Sequence, residues 1–323
     1  MTRNGDPPAA YPLDWNGPVD RAFEAFAPDD VALPIITLFE RQVARHGERD
    51  ALRAPDGAFT YAQIARRVAG LAAVIARETA PGDLVGLFLP TSAAFAVAMM
   101  SCFAAGRPFV ALDTKYPANW LDYVIADSDP ALILVAPGAG HGGTVDFGAR
   151  RILEVSAISE TACGEAACRP SGPDDPACVL YTSGSTGRPK GIVNGSRALI
   201  HRAAQSINAA HLGPEDRFLT LASLCTIVGV RDLLTAWLCG GCAILIDAQT
   251  AGTREIVATL RADGATVLFA FPALLRLLAD HAPHADAPGL RLVRVGGDTT
   301  LWRDIDRWRA WACLLYTSDA ADE

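Results

Sequence analysis

The residues best equipped for chemistry lie together between Val179 and Val193, where the chain reads Val-Leu-Tyr-Thr-Ser-Gly-Ser-Thr-Gly-Arg-Pro-Lys-Gly-Ile-Val. An apolar strand runs into the hydroxyl side chains of Thr182, Ser183, Ser185 and Thr186, interleaved with Gly184 and Gly187. Lys190 and Gly191 follow, and an apolar strand returns. Glycines let the backbone turn and bring N–H groups close to an anion, hydroxyls donate to phosphate oxygens, and a lysine adds a mobile point charge. The combination suits a polyphosphate. It is not the Walker arrangement, because the glycine spacing differs and Gly191, not Ser or Thr, follows the lysine. A serine nucleophile is disfavoured too, since no G-x-S-x-G elbow leads into a helix. A plain Ser/Gly surface turn would require neither a lysine behind a proline nor apolar strands on both flanks.

Two other stretches invite chemistry and are better read as structure. Eight cysteines include one C-x-x-C, Cys239-Gly-Gly-Cys242, which could be half a zinc site or a redox pair, but no second pair completes a site. Cys239 ends an amphipathic helical pattern and Cys242 opens an apolar run, so buried reduced thiols are expected. The glycine-rich run at 138–143 has no helix start behind it, as a dinucleotide fingerprint needs, and reads as a turn.

The elements that must position the loop alternate. Thr60 is the expected N-cap of a helix whose apolar face carries Tyr61, Ile64, Val68, Leu71, Ala72 and Ile75. Residues 84–89 read as a strand, 92–105 as a helix stopped by Gly106, 109–112 as a strand, 120–126 as a helix and 132–135 as a strand. After Pro176 the alternation resumes. Strands are expected at 218–221, 243–246, 267–269 and 290–295. Helices are expected through Val230, Leu233, Leu234, Trp237 and Leu238, at 253–262 and at 272–281. The fold class is therefore α/β, two layered mostly parallel sheets with helices on both faces, with ligands at the carboxyl ends of strands. Residues 136–148 and 163–176 read as surface loops. Half of the 323 residues are apolar and a fifth are charged, enough for a sizeable core. The net charge of −8, without a basic run, disfavours nucleic acid. The most apolar stretch, 84–112, is broken by Pro90, Gly106, Arg107 and Pro108, so no membrane span or secretory signal is expected, and a cytoplasmic setting is.

At Tyr-Thr-Ser-Gly-Ser-Thr-Gly-Arg-Pro-Lys-Gly (181–191) the sequence resembles the signature loop of the adenylate-forming superfamily: acyl-CoA synthetases, luciferase-like enzymes and nonribosomal peptide synthetase adenylation domains. Phe59-Thr60-Tyr61-Ala62-Gln63-Ile64 is similar to an early T-Y-x-E-L element, residues 104–113 to an A-G-x-x-x-x-P-L-D element, and Val295-Gly296-Gly297-Asp298 to a G-G-E element. The resemblance spans residues 36–311. It implies ATP-dependent activation of a carboxylic acid as an acyl-adenylate, and transfer to the thiol of CoA or of a phosphopantetheinyl carrier protein. It implies nucleotide contacts from Thr182, Ser183, Gly184, Ser185, Thr186, Gly187, Lys190, Gly191, Gly296, Gly297 and Asp298, catalytic roles for Lys190 and Thr186, and a substrate pocket at Ile227, Val228 and Val295. Mg²⁺ is implied with ATP, its ligands unassigned.

The sequence also departs from the family. In amino-acid-activating relatives an aspartate in an F-D-x-S element holds the substrate ammonium; here Thr226-Ile227-Val228-Gly229 aligns, with Ile227 at the aspartate position. A buried ammonium would go unpaired there, so an acid lacking a free α-amino group is expected. The neighbouring Arg231-Asp232 pair reads as a solvated helix face, and Ser196 as a helix N-cap. The adenine-binding aromatic segment, hinge and mobile C-terminal lid of the family have no counterpart in the sequence. Residues 1–30 read as an irregular arm, 31–312 as the adenylate-forming N-terminal region, and 313–323 as a non-native tail of adapter read-through. The chain alone is then expected to be inactive, and a catalytically dead nucleotide-binding or interaction module is the alternative.

Overall fold

The computed structural model describes residues 23–139, 145–155, 169–183, 188–281, 289–301, 304, 308 and 314–318. Gly184, Ser185, Thr186 and Gly187 lie outside the described residues, as do residues 1–22 of the expected arm, residues 140–143 of the glycine run, and most of residues 302–313.

The first third runs α1 (Ile35–His46), β1 (Asp50–Ala54), β2 (Gly57–Thr60), α2 (Tyr61–Glu78), β3 (Val85–Phe88), α3 (Ala93–Ala105) and β4 (Phe109–Ala111). The middle runs α4 (Ala118–Ser128), β5 (Leu132–Val135), β6 (Arg151–Glu154), β7 (Pro176–Ser183), β8 (Pro189–Gly195) and α5 (Ser196–Ala210). The last part runs β9 (Arg217–Thr220), α6 (Ile227–Leu238), β10 (Cys242–Leu245), α7 (Thr253–Ala262), β11 (Val267–Ala270), α8 (Pro272–His281), β12 (Leu292–Gly296) and β13 (Leu314–Ser318).

These strands build two sheets. One has the order β6-β5-β3-β4-β7-β8 and the other β13-β12-β11-β9-β10-β1-β2. Each is parallel except for one terminal hairpin, β7–β8 in the first and β1–β2 in the second. Strand alternation gives every central strand two apolar faces, so each sheet must be covered twice. Leu52 and Ala243 of one sheet and Leu87 and Phe109 of the other share a core with Tyr61 of α2, Phe103 of α3 and Trp237 of α6. On the far face of the seven-stranded sheet, Leu219, Ile244, Leu268 and Val293 pack with Ile256 of α7 and Leu275 of α8. On the far face of the six-stranded sheet, Val110, Ile133 and Val135 pack with Leu121 and Val124 of α4.

Local chemistry agrees with this layering. Helix α3 lies in the shared core with eleven of its 13 residues buried, which is why its sequence is apolar all round. It starts where the Ser92 hydroxyl accepts from Phe95 N and stops at Gly106 in the left-handed region. Thr60 and Gln63 form a reciprocal capping box at the start of α2, worth about 1 kcal/mol. The buried Tyr61 hydroxyl then donates to Gly241 O at 2.7 Å, pinning α2 to the turn before β10.

Three differences from the expected elements stand out. The β1–β2 hairpin and β6 are too short and too polar to announce themselves by periodicity. Strand β13 extends the sheet beyond β12, pairing Leu292 to Leu314 through Gly296 to Ser318 in parallel register; Leu-Leu-Tyr-Thr-Ser is rich in strand formers. Ser196 is not the cap of α5: it is the first helical residue, fully buried, behind Gly195. The carbonyls of Asp175 and Pro173 accept from the N–H groups of Ser196 and Arg197 at 3.1 and 2.8 Å, so a neighbouring loop performs the capping.

Candidate nucleotide and acid site

The strands flanking the hydroxyl-rich loop pair in antiparallel register, with Tyr181 opposite Gly191, Thr182 opposite Lys190 and Ser183 opposite Pro189. Cross-strand partners point to the same side. Leu180 belongs to the core between the sheets, whereas Val179 and Tyr181 pack on the outer face. Alternation therefore brings Thr182 and Lys190 out together on the side facing the second sheet, where both are exposed. Gly191 has a packing reason of its own: a Cβ there would sit 3.0 Å from the Tyr181 ring. That ring is anchored by its hydroxyl, which donates to Asp127 Oδ2 at 2.6 Å.

Three of the residues expected at the carboxyl ends of the second sheet, Gly296, Gly297 and Asp298, follow one another at the end of β12. Gly297 adopts φ +87°, and a Cβ there would lie 2.6 Å from the ring of Phe271, so both backbone shape and close approach require glycine. The Asp298 carboxylate accepts from Thr299 N at 2.7 Å. Phe271, itself 42% exposed, stands edge-on to Phe269 at 6.0 Å. Ile227, also 42% exposed, opens α6 behind Thr226, whose hydroxyl accepts from Gly229 N and donates to Ser223 O at 2.7 Å. Val228 follows, half-buried. Val295 is not brought to these residues. It is fully buried on the far face of the sheet with Leu268 and Leu275, because strand alternation turns it away and turns its neighbour Arg294 inward.

The Arg231-Asp232 pair is not a solvated face. Asp232 is buried at 7% exposure; Arg231 donates Nε and Nη2 to its Oδ1 at 3.1 and 3.0 Å. Arg294 of β12 lies 3.9 Å from the same oxygen and donates to Ser206 Oγ at 3.2 Å. Both guanidiniums stand over the Phe269 ring, at 5.3 and 5.5 Å. Side chains opposite the apolar stripe of α6 thus meet the carboxyl ends of β11 and β12 in place of water. The available signal was spacing: Arg231 falls one turn after Ile227.

Two contacts tie the sheets at this edge. Lys115, in the loop after β4, pairs with Asp247, in the loop after β10, at 2.6 Å. Ser223, after β9, donates to Asp113, after β4, at 3.1 Å. Because β4 and β7 are parallel, as are β9, β10, β11 and β12, the Thr182–Lys190 pair and the Gly296–Asp298 segment belong to the same converging carboxyl ends. Cys239 and Cys242 are buried and free. Burial pushes both thiols up, Cys242 to about 11, which suits inert core residues.

A family model described as "AMP-binding enzyme" matches residues 39–317. The chain belongs to that family. Among AMP-binding relatives, a probable non-canonical nonribosomal peptide synthetase of Salinispora arenicola, CymA, is 31% identical over 88% of this chain and 4% of its own length. The nonribosomal peptide synthetase otaB of Aspergillus niger is 27% identical over 96% of this chain and 16% of its own. This AMP-binding chain therefore spans a small fraction of the curated relatives it matches. Among solved structures, the nonribosomal peptide synthetase FmoA3 in an AMPPNP-bound form superposes with a TM-score of 0.81 at 25% identity, covering 92% of this chain and 32% of that one. The Klebsiella oxytoca NpsA N-terminal subdomain bound to 3-hydroxybenzoyl-AMSN shares the fold at a TM-score of 0.78 and 20% identity, covering 92% of this chain and 75% of that one. The two-sheet fold and membership of the AMP-binding family are as the sequence leads one to expect. No helix among the described residues is long and apolar enough to cross a membrane.

Proposed function

We propose that the polypeptide carrying this chain activates a carboxylic acid lacking a free α-amino group and hands the acyl group to the phosphopantetheinyl thiol of a carrier protein. CoA is the alternative acceptor. In the first step a carboxylate oxygen bonds to the α-phosphorus of ATP, the bond to the bridging oxygen breaks, and pyrophosphate leaves with that electron pair. Acid and triphosphate are both anions, so positive charge must offset their repulsion. The observation that carries this reading is the Thr182–Lys190 pair: a hydroxyl-bearing and an ammonium-bearing residue held opposite each other at the mouth of the hairpin.

Each of the chain's own groups has a place in that step. Lys190, with Thr186 and the hydroxyls and N–H groups of residues 182–187, is assigned to the phosphates. Ile227 and Val228 are assigned to the acid, with Ile227 standing at the position where amino-acid-activating relatives carry the aspartate that holds the ammonium. Mg²⁺ would lower the charge on the triphosphate. Among the described residues no cluster of three His, Cys, Asp or Glu side chains is arranged to hold a metal ion, and no step is assigned to it.

The test is acid-dependent exchange of labelled pyrophosphate into ATP, run on the polypeptide encoded by the complete gene across hydroxy, keto, aryl, fatty and amino acids. Exchange with acids lacking an α-amino group is expected; exchange with α-amino acids alone would contradict the substrate reading. The 323-residue chain expressed alone is proposed to form no adenylate.

A further inference from the structure

A charged group stabilises a reaction only where it is held in place beforehand, and the strand that carries Lys190 has little to hold it. Strand β8 ends the six-stranded sheet, so β7 is its one strand neighbour among the described residues. Both of its faces are open: Ile192 is 49% exposed and Val193, on the opposite face, 63%. Gly191 lies in its interior, where the absent side chain removes packing.

The cross-strand pair next to Thr182 and Lys190 is Tyr181 and Gly191, and alternation turns it to the outer face of the sheet. There Tyr181 lies across Gly191: a Cβ at that glycine would come 3.0 Å from ring carbon Cζ and 3.2 Å from the hydroxyl oxygen. The hydroxyl donates to Asp127 Oδ2 at 2.6 Å, in the short range of a charge-assisted bond. Trp120, Tyr123 and Asp127 fall at i, i+3 and i+7 of α4, on one helix face. Trp120 stands edge-on to the Tyr181 ring at 6.2 Å and packs on Tyr116 at 4.2 Å, and Tyr123 joins the same outer core. Packing alone would be served by phenylalanine, which needs no carboxylate at the end of its ring.

We infer that Tyr181 is a positioning residue: clamped to α4 through Asp127 and Trp120 and lying over Gly191, it fixes the hairpin backbone one residue short of Thr182 and Lys190 and so holds the Lys190 ammonium where the charge of the leaving pyrophosphate develops. This rests on the acid-activation reading above, which supplies the step that Lys190 serves. Tyr181 faces away from that step and acts on it through Lys190. Because misplacing such a group by about 1 Å can cost up to about 10²-fold in rate, a hydroxyl on the far face of the strand has leverage on the chemistry.

The test is pyrophosphate exchange by the complete polypeptide in a double-mutant cycle. Tyr181→Phe should lower kcat about tenfold and leave the KM for ATP within about twofold, since a displaced ammonium loses more in the transition state than in the ground state. Added to Lys190→Ala, the same substitution should change the residual exchange by less than about twofold, because the two residues act as a unit. Asp127→Leu should match Tyr181→Phe, and Asp127→Asn, which keeps an oxygen acceptor for the hydroxyl, should recover part of the loss. In the 323-residue chain, Tyr181→Phe should speed amide hydrogen exchange at residues 190–194 and leave α2 unchanged, a readout independent of catalysis. A fall equally large with Lys190 present or replaced makes Tyr181 a packing residue and overturns the inference, as does a Tyr181→Phe kcat equal to that of the wild type or unaltered amide exchange in β8; each of these leaves acid activation standing. No exchange from the folded wild type with an acid of any class overturns acid activation itself, and the inference with it.

Discussion

Lys115 Nζ lies 2.6 Å from Asp247 Oδ1 and so joins the carboxyl-end loops of two different sheets. One sheet carries the Thr182–Lys190 pair and the other the Gly296–Asp298 segment, so this contact helps fix the distance between the two halves of the site. Burial alone would raise the Asp247 carboxyl, but hydrogen bonds from Lys115, Gln249 N and Thr250 outweigh it and hold the group below its usual range.

A carboxyl held low in the folded state contributes stability above its unfolded pKa, near 4, and loses it as pH falls through the lower folded value. Unfolding free energies of wild type and Lys115→Met from urea titration should differ by about 1 kcal/mol at pH 7 and converge below pH 4. A difference that stays constant from pH 7 to pH 3 would contradict this role.

The Tyr61→Phe substitution removes the buried hydroxyl that donates to Gly241 O and leaves that carbonyl short of a partner. A loss of about 1 to 2 kcal/mol is expected in equilibrium unfolding, with the aromatic packing of Tyr61 on Phe39 kept. An unchanged midpoint would mean that water replaces the hydroxyl.

Cys239 and Cys242 should resist iodoacetamide at pH 8 in the folded chain and react fully in guanidinium, as mass spectrometry would record. The cause is burial, which raises both thiols and disfavours the reactive thiolate. Rapid native-state labelling, or stoichiometric zinc, would restore the redox or metal reading of the C-x-x-C.

Much of this was legible in the residues. The limits of α7 and α8 follow from periodicity and caps, and Thr60, Ser92 and Gly106 punctuate their helices as their types suggest. The hairpin geometry of the loop was legible as well, because apolar strands flank it. Elements decided by tertiary context were not. Val295 and Arg294 are neighbours in sequence, and only the sheet's orientation decides which one faces α6. Arg231 and Asp232 are charged, and a helix wheel assigns them to water; the ends of β11 and β12 cover them instead. Ser196 has a capping residue's chemistry, yet the carbonyls of Pro173 and Asp175 had already taken that task.

Replacing Ile227 by Asp introduces a carboxylate at the exposed start of α6, beside the proposed acid pocket. Exchange supported by acids without an amino group should fall at least tenfold, because a carboxylate substrate then meets a like charge, and α-amino acids should gain relative to them. Unaltered selectivity would place the acid elsewhere.

The central claim is that the Thr182–Lys190 hairpin stabilises the charge that develops when a carboxylic acid displaces pyrophosphate. Acid-dependent pyrophosphate exchange by the complete polypeptide, wild type against Lys190→Ala, tests it most directly. The account predicts exchange in the wild type and a loss of 10²- to 10³-fold in the variant, about 2 to 4 kcal/mol, with unfolding midpoints unchanged because Lys190 is exposed. Exchange as fast in Lys190→Ala as in the wild type would contradict it.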